Sequence, residues 1–240
     1  MRLLVSVRSV REALSAAQAG AHFIDLKEQA SGALGALPTR RVARIVQALR
    51  ASHPGAPISA TIGDVPVDSQ AEILRRVAAV AACGVDYVKV GIAAGAGTEA
   101  GTDLLERLAR CGTAIVPVFI ADDGIDDRLV GAALRARVFP ALMLDTVDKR
   151  GGSLLQRLPR DAIATFVDHV RSHGCLAGLA GALRAADVAA LIALAPDFSG
   201  FRSAVCAGDR AGNLDAERVR DLARRLAAQV GSRPIASNAP

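Results

Sequence analysis

The chain writes nearly all of its positive charge as arginine: of 29 basic residues only Lys27, Lys89 and Lys149 are lysines. An arginine stays protonated and is a poor nucleophile, whereas a lysine amine can release its proton and attack a carbonyl. Lys27 closes the run FIDLK, two residues after Asp25. Alternation along a strand points both to one side, where an acid and an amine should face a polar interior rather than apolar helices. A low-dielectric pocket disfavours the charged amine, which suits imine formation; a buried Asp25–Lys27 ion pair without chemistry is the plainer alternative. Lys89 lies between valines in YVKVGI, sharing a face with Tyr87 and Gly91. A lone lysine there is costly unless paired or functional. Two amines near one mouth would oppose each other's charge, leaving one as imine former or general base; the alternative is a structural partner for a neighbouring carboxylate. Asp145 ends ALMLD, and Lys149 follows four residues on in TVDKRGG. Asp145 could orient an amine or pass protons. Lys149 could contact substrate charge or act as an acid, or simply be a solvated loop lysine.

Anion-binding chemistry has its own candidates. In SATIGDVP, Ser59, Thr61 and Gly63 share a face and Asp64 follows in the turn; hydroxyls and close backbone suit a sugar-like or phosphate substrate, and a packed interior is the alternative. The late segments LAGAL and GFRSAVCAGDRAGN hold Gly181, Gly200, Gly208, Gly212, Arg202 and Arg210. Glycine lets backbone N–H groups approach an anion; ordinary flexible loops are the alternative. His22, His53, His169 and His173 do not converge, and the i, i+4 pair His169/His173 lies on an outer helix with no third ligand, so it reads as solvated surface. The cysteines at 83, 111, 175 and 206 lack metal or disulfide spacing and read as buried thiols in a reducing compartment.

Eight short apolar runs must position these groups. They cover 3–7, 23–27, 57–63, 87–92, 114–121, 141–146, 175–181 and 197–205, and each precedes a helical pattern such as Val42, Ile45, Val46, Leu49. Gly20, Gly84, Gly112 and Gly174 stand where helices should stop. Eight strand–helix units in about 230 residues predict an α/β fold, a single-domain (β/α)8 TIM barrel over 1–230, with 231–240 as a frayed tail. A doubly wound open sheet would need a glycine-rich turn after the first strand, and RSVREA has none. In such a barrel the active site lies at the C-terminal ends of the strands, and phosphate sites are often built from the loops after strands seven and eight.

Bulk numbers narrow the classes. The 240 residues are 51% hydrophobic and 22% charged, so the chain is globular rather than disordered. A net charge of +5 suits anionic partners, but six Phe and one Tyr are too few for nucleic-acid binding by stacking. No apolar run is long enough to span a bilayer, and the opening MRLLVSVRSVREAL does not read as a signal peptide, so a cytoplasmic protein is expected.

DLKEQASGALGA, SATIGDVP, YVKVGI, MLDTVDKRGG, LAGAL and GFRSAVCAGDR, taken in order, resemble the (5-formylfuran-3-yl)methyl phosphate synthase family. The resemblance implies a TIM-barrel lyase with chemistry similar to class I aldolases. Such an enzyme joins two molecules of glyceraldehyde 3-phosphate into a furan aldehyde phosphate, releasing phosphate and water, for methanofuran-type cofactors. It implies Lys27 as the Schiff-base lysine and Lys89 as proton acceptor, with Asp25, Asp145 and Lys149 assisting. It implies no cofactor and no metal. Expected partners are small phosphorylated trioses and further copies of the chain in a homo-oligomer, with no nucleic acid and no membrane. Another Schiff-base aldolase or isomerase acting on a phosphorylated sugar is the alternative activity. The Arg- and Ala-rich composition suggests a bacterium rather than a methanogen, and the resemblance then implies a methylotroph using a methanofuran-like carrier in one-carbon oxidation.

Overall fold

A computed structural model describes residues 1–28, 32, 34–93, 98–148, 151–208 and 212–227. Eight parallel strands close on themselves in sequence order: β1 (Arg2–Val7), β2 (Phe23–Leu26), β3 (Ile58–Thr61), β4 (Tyr87–Ala93), β5 (Ile115–Ile120), β6 (Ala141–Asp145), β7 (Leu176–Leu179) and β8 (Phe198–Phe201). The last strand returns to the first with Leu4 opposite Gly200. This is the (β/α)8 barrel, in one domain.

Around it run α1 (Val10–Gln18), α2 (Thr39–Ser52), α3 (Gln70–Ala81), α4 (Thr98–Arg110), α5 (Asp127–Ala136), α6 (Leu154–Arg157), α7 (Arg160–Ser172), α8 (Val188–Leu194) and α9 (Ala216–Ala227). Their apolar stripes face the strands; on α2 the buried set is Val42, Ile45, Val46 and Leu49. Each fully buried aliphatic side chain contributes about 1.5–3 kcal/mol, so this outer layer between sheet and helices holds the barrel closed. Gly20, Gly84, Gly112 and Gly174 all take positive φ where helices end.

The strands are shorter than their apolar runs. The run expected as a strand over 197–205 pairs only to Phe201 and then tightens into a short 3-10 turn, Ser203–Val205. The run over 57–63 stops pairing at Thr61. The four-residue α6 was not expected. Of the four thiols only Cys206 is buried; Cys83, Cys111 and Cys175 are half-buried, because they sit at helix ends and at the rim before β7 rather than inside. The expected tail at 231–240 lies outside the described residues. Among the described residues no helix is long and apolar enough to cross a membrane.

Inside the barrel a separate apolar cluster, including Leu4, Val116, Val118, Met143 and Phe198, fills the middle. Above it, toward the C-terminal ends of the strands, the interior turns polar.

Candidate active site

Strand alternation sends Asp25 inward on β2, and Lys27, just past the strand, to the same side. Both line a pocket of about 90 Å³ at the C-terminal mouth, together with Ser6, Lys89 and Asp145. All the charged groups of this patch come from even-numbered strands. That is the layering a tilted eight-stranded barrel imposes, since alternate strands share a level.

Two amine–carboxylate pairs result. Lys89 Nζ donates to Asp25 Oδ1 at 3.1 Å, and both side chains are almost fully buried. Lys27 Nζ donates to Asp145 Oδ2 at 3.4 Å, across the mouth from β2 to the opposite strand β6. The Asp25–Lys27 pair weighed from sequence does not form. Asp25 turns to the neighbouring even strand and leaves Lys27 to Asp145. The two amines are therefore not bare like charges: each faces its own carboxylate.

Asp25 is held on every side. Ser59 Oγ donates to Oδ1 at 2.7 Å and Ser6 Oγ to Oδ2 at 3.0 Å. Burial alone would raise its carboxyl. The charges of Lys89 and Lys27, with the Ser59 and Lys89 hydrogen bonds, outweigh that and hold it below the usual carboxylate range. Asp25 is thus a fixed anion. Asp145 accepts a second hydrogen bond, from the Thr146 N–H to Oδ1 at 2.8 Å.

The loops after β7 and β8 form the other wall, through Gly181, Ala182, Leu183, Arg202 and Ser203. The backbone N–H groups of Ala182, Leu183 and Ser203 have no acceptor among the described residues. Such groups at a pocket wall can receive an anion.

A protein-family description, 4-HFC-P synthase, matches residues 3–223. The chain belongs to the 4-HFC-P synthase family. It is 35% identical to the (5-formylfuran-3-yl)methyl phosphate synthase of Methanopyrus kandleri, over 94% of this chain and 99% of that one. A Methylorubrum extorquens protein bearing the same name provisionally is 39% identical, over 95% of this chain and 92% of its own length. Among solved structures, phosphoribosyl anthranilate isomerase from Thermus thermophilus superposes with a TM-score of 0.64 at 18% identity, covering 95% of this chain and 99% of that one; that likeness is one of fold. The chain is an enzyme of the 4-HFC-P synthase type.

The remaining site expectations divide. Ser59 serves Asp25 and lies below the pocket rather than on its wall. Thr61 is buried and donates to the Gly35 carbonyl at 2.9 Å. Asp64 is exposed and accepts the Leu34 N–H at 3.1 Å. Thr61 and Asp64 thus anchor the loop after β2 instead of lining the pocket. That loop sets Leu34 into the mouth over Gly91, where an added Cβ would lie 2.7 Å from Leu34 Cδ1. Gly200 lines the pocket by being small, with Ala180, Leu4 and Met143 each 3.3 Å from where a Cβ would stand. Gly208 is exposed and away from the pocket. Lys149 and Arg210 lie outside the described residues.

Arg202 reaches the pocket, but its guanidinium is committed to protein acceptors. It donates to both carboxylate oxygens of Glu12 at 2.9 and 3.0 Å, to the Ser6 carbonyl at 3.0 Å and to the Gly212 carbonyl at 2.8 Å. It therefore clamps the loop after β8 to α1 and β1, and the anion donors left among the described residues of this wall are backbone N–H groups and the Ser203 hydroxyl. Burial would raise Glu12; the Arg202 hydrogen bonds, the Arg8 N–H and both guanidinium charges hold it below its ordinary value.

Ser6 and Glu12 escaped sequence reasoning. Ser6 is the single hydroxyl in LLVSV and alternates inward. Glu12 closes a Ser-x-x-Glu spacing from Ser9, a helix-start signature: Ser9 Oγ accepts the Glu12 N–H at 3.2 Å.

Proposed function

We propose that the chain joins two molecules of glyceraldehyde 3-phosphate into (5-formylfuran-3-yl)methyl phosphate through a Schiff base on Lys27, as a cytoplasmic step toward a methanofuran-type carrier. Atom balance then releases one phosphate and two waters. The observation that carries this reading is the pair of buried lysine–carboxylate contacts at one barrel mouth, with Lys27 lining the same pocket as backbone N–H groups that have no acceptor among the described residues.

Lys27 is the more loosely held amine. It makes a longer contact, 3.4 Å, than Lys89, whose carboxylate is itself fixed by two serines. Proton transfer from Lys27 to Asp145 yields a neutral amine and a carboxylic acid side by side, cancelling two buried charges at once. The amine adds to the triose carbonyl, and Asp145 returns the proton as the carbinolamine loses water. The resulting iminium withdraws electrons from the adjacent carbon. Lys89, held toward that carbon by the fixed anion Asp25, takes part in the proton transfer that gives the enamine. The enamine adds to the second triose; phosphate and the remaining water are lost, and the ring closes as a hydroxyl oxygen of the second triose attacks the iminium carbon and expels Lys27 as the free amine. The N–H groups of Ala182, Leu183 and Ser203 suit the phosphate of the first triose. Lys149 would act as a further acid or anion contact from the loop after β6.

Borohydride added with glyceraldehyde 3-phosphate should fix a covalent adduct on Lys27, located by peptide mass spectrometry, and Lys27→Arg should abolish both adduct and turnover. Normal turnover in Lys27→Arg sinks the mechanism. A trapped adduct with a product lacking the near-ultraviolet absorbance of a furan would instead identify another Schiff-base aldolase or isomerase.

A further inference from the structure

The N-terminal half of the barrel holds a second, larger cavity of about 250 Å³, opening on the face opposite the candidate active site. Barrel interiors are normally filled there by bulky branched side chains, and an apolar hollow of this size costs stability if it has no use. Here β6 contributes Met143 and, toward the opening, only the small Ala141. The walls are aromatic: Phe23 and Phe198 stand 5.4 Å apart between ring centroids, with Tyr87 beside them. The deep end is polar, because Ser59 and Lys89 line it on the side toward the candidate active site. Lys89 therefore forms part of the partition between this cavity and the pocket above.

The rim carries an uncompensated cation. The Arg2 guanidinium lies 5.0 Å over the Phe23 ring and has no carboxylate or hydrogen-bond partner among the described residues; the Arg2 backbone N–H donates to the Asp197 carbonyl at 3.0 Å. The acids that precede the lining residues Tyr87 and Phe198 are engaged elsewhere, Asp86 by Arg50 at 2.7 Å and Asp197 by Arg171 at 3.9 Å. His22, also at the rim, accepts the Leu3 N–H on Nδ1, which assigns the ring hydrogen to Nε2 as an outward donor.

We propose that this cavity is an effector site for a flat aromatic or heteroaromatic ring bearing one anionic group. The ring lies against the wall that the Phe23–Phe198 pair and Tyr87 form, the anion meets Arg2 and the His22 Nε2–H, and the inner edge of the ring presses on Lys89 from the side away from the substrate. Charge complementarity selects the anion, and the aromatic walls select the flat ring.

The chain offers its own reporter. Tyr87 is the single tyrosine and there is no tryptophan, so intrinsic emission reports on this cavity. Furan-2-carboxylate titrated into the whole chain should give a saturable change in that emission, after correction for ligand absorbance. Ala141→Leu, which fills the hollow, should weaken binding at least tenfold. Arg2→Ala should weaken it threefold or more while leaving the neutral analogue furfuryl alcohol unaffected. Lys27→Ala, which changes only the pocket above, should leave binding within twofold of the parent. The half-exposed Arg2 keeps the test decisive if Ala141→Leu does not fold. No saturable change, a change that survives Arg2→Ala undiminished, or one lost in Lys27→Ala would overturn the proposal. The readout needs no turnover, so its failure is separate from failure of the proposed reaction.

Discussion

Replacing Asp25 by Asn isolates the electrostatic centre of the site. The substitution keeps the side-chain shape and removes one negative charge at a position with no solvent exposure. Lys89, 2% exposed, then loses the carboxylate 3.1 Å from its ammonium. Leaving one member of a buried pair uncompensated costs about 3–5 kcal/mol. That is a large share of the ~5–15 kcal/mol that holds a domain folded. With a urea dependence of about 3 kcal/mol per molar for a chain of this size, the unfolding midpoint should fall by about 1–2 M. Circular dichroism in urea at pH 7 measures it. The double variant Asp25→Asn/Lys89→Met removes both charges, and since well-packed apolar replacements of buried pairs are often neutral, it should recover most of the loss. A loss below about 1 kcal/mol for Asp25→Asn, or a double variant as unstable as the single one, would refute the reasoning that the pair is desolvated and mutually dependent.

Three further outcomes follow from contacts around the pocket. Gly91→Ala places a Cβ 2.7 Å from Leu34 Cδ1, so it should cost about 1–3 kcal/mol by overpacking and lower kcat as the loop after β2 is displaced; unchanged kinetics would deny Leu34 its place over the mouth. Arg202→Met leaves Glu12 buried with only the Arg8 side chain as cation, at 3.8 Å, and should destabilise by about 3 kcal/mol in thermal or urea unfolding. Asp25 and Glu12 are both held below their ordinary values. The unfolded chain therefore binds protons first, and the stability these groups contribute is present above about pH 4–4.5 and lost as pH falls through their lower folded values. Urea midpoints should fall most steeply below about pH 4.5, and midpoints that stay unchanged from pH 5 to 3 would contradict the assignment.

The barrel was legible because its signals are local. Each apolar run lies next to an amphipathic pattern, and helix-ending glycines separate the units. The ends of the strands were less legible, since an apolar run continues past the last paired residue wherever a loop is buried, as at Phe201–Val205. For the site, the inward alternation of Asp25, Ser59, Lys89 and Asp145 could be read from sequence, but the identity of each lysine's carboxylate could not. Asp25 lies opposite Ser59 on β3, which lies opposite Tyr87 on β4, and only the stagger of the closed sheet carries Lys89 to Asp25. The Lys27–Asp145 contact spans 118 residues and the full width of the mouth. Arg202 misled because its type and loop suit phosphate, while its partner Glu12 comes from the first helix.

The choice of cation follows from what each buried pair must do. Arg202 and Glu12 are each 8% exposed, and Lys27, Lys89, Asp25 and Asp145 are at 6% or less, so all three pairs are taken out of water. An arginine–carboxylate pair is permanent, since the guanidinium keeps its proton and its fork matches the carboxylate. It suits a clamp that holds the loop after β8 in place. A lysine–carboxylate pair can be dissolved by moving one proton a short distance, which leaves an amine and an acid, the two groups that imine chemistry needs. The outer helices, where only solvated charge is required, carry arginine in pairs such as Arg75–Glu72 and Arg107–Asp103. The two described lysines are confined to the barrel mouth, where the proposed Schiff-base chemistry calls for a cation that can give up its charge. The net charge of +5 therefore says little about the reaction, and the scarcity of lysine says a good deal.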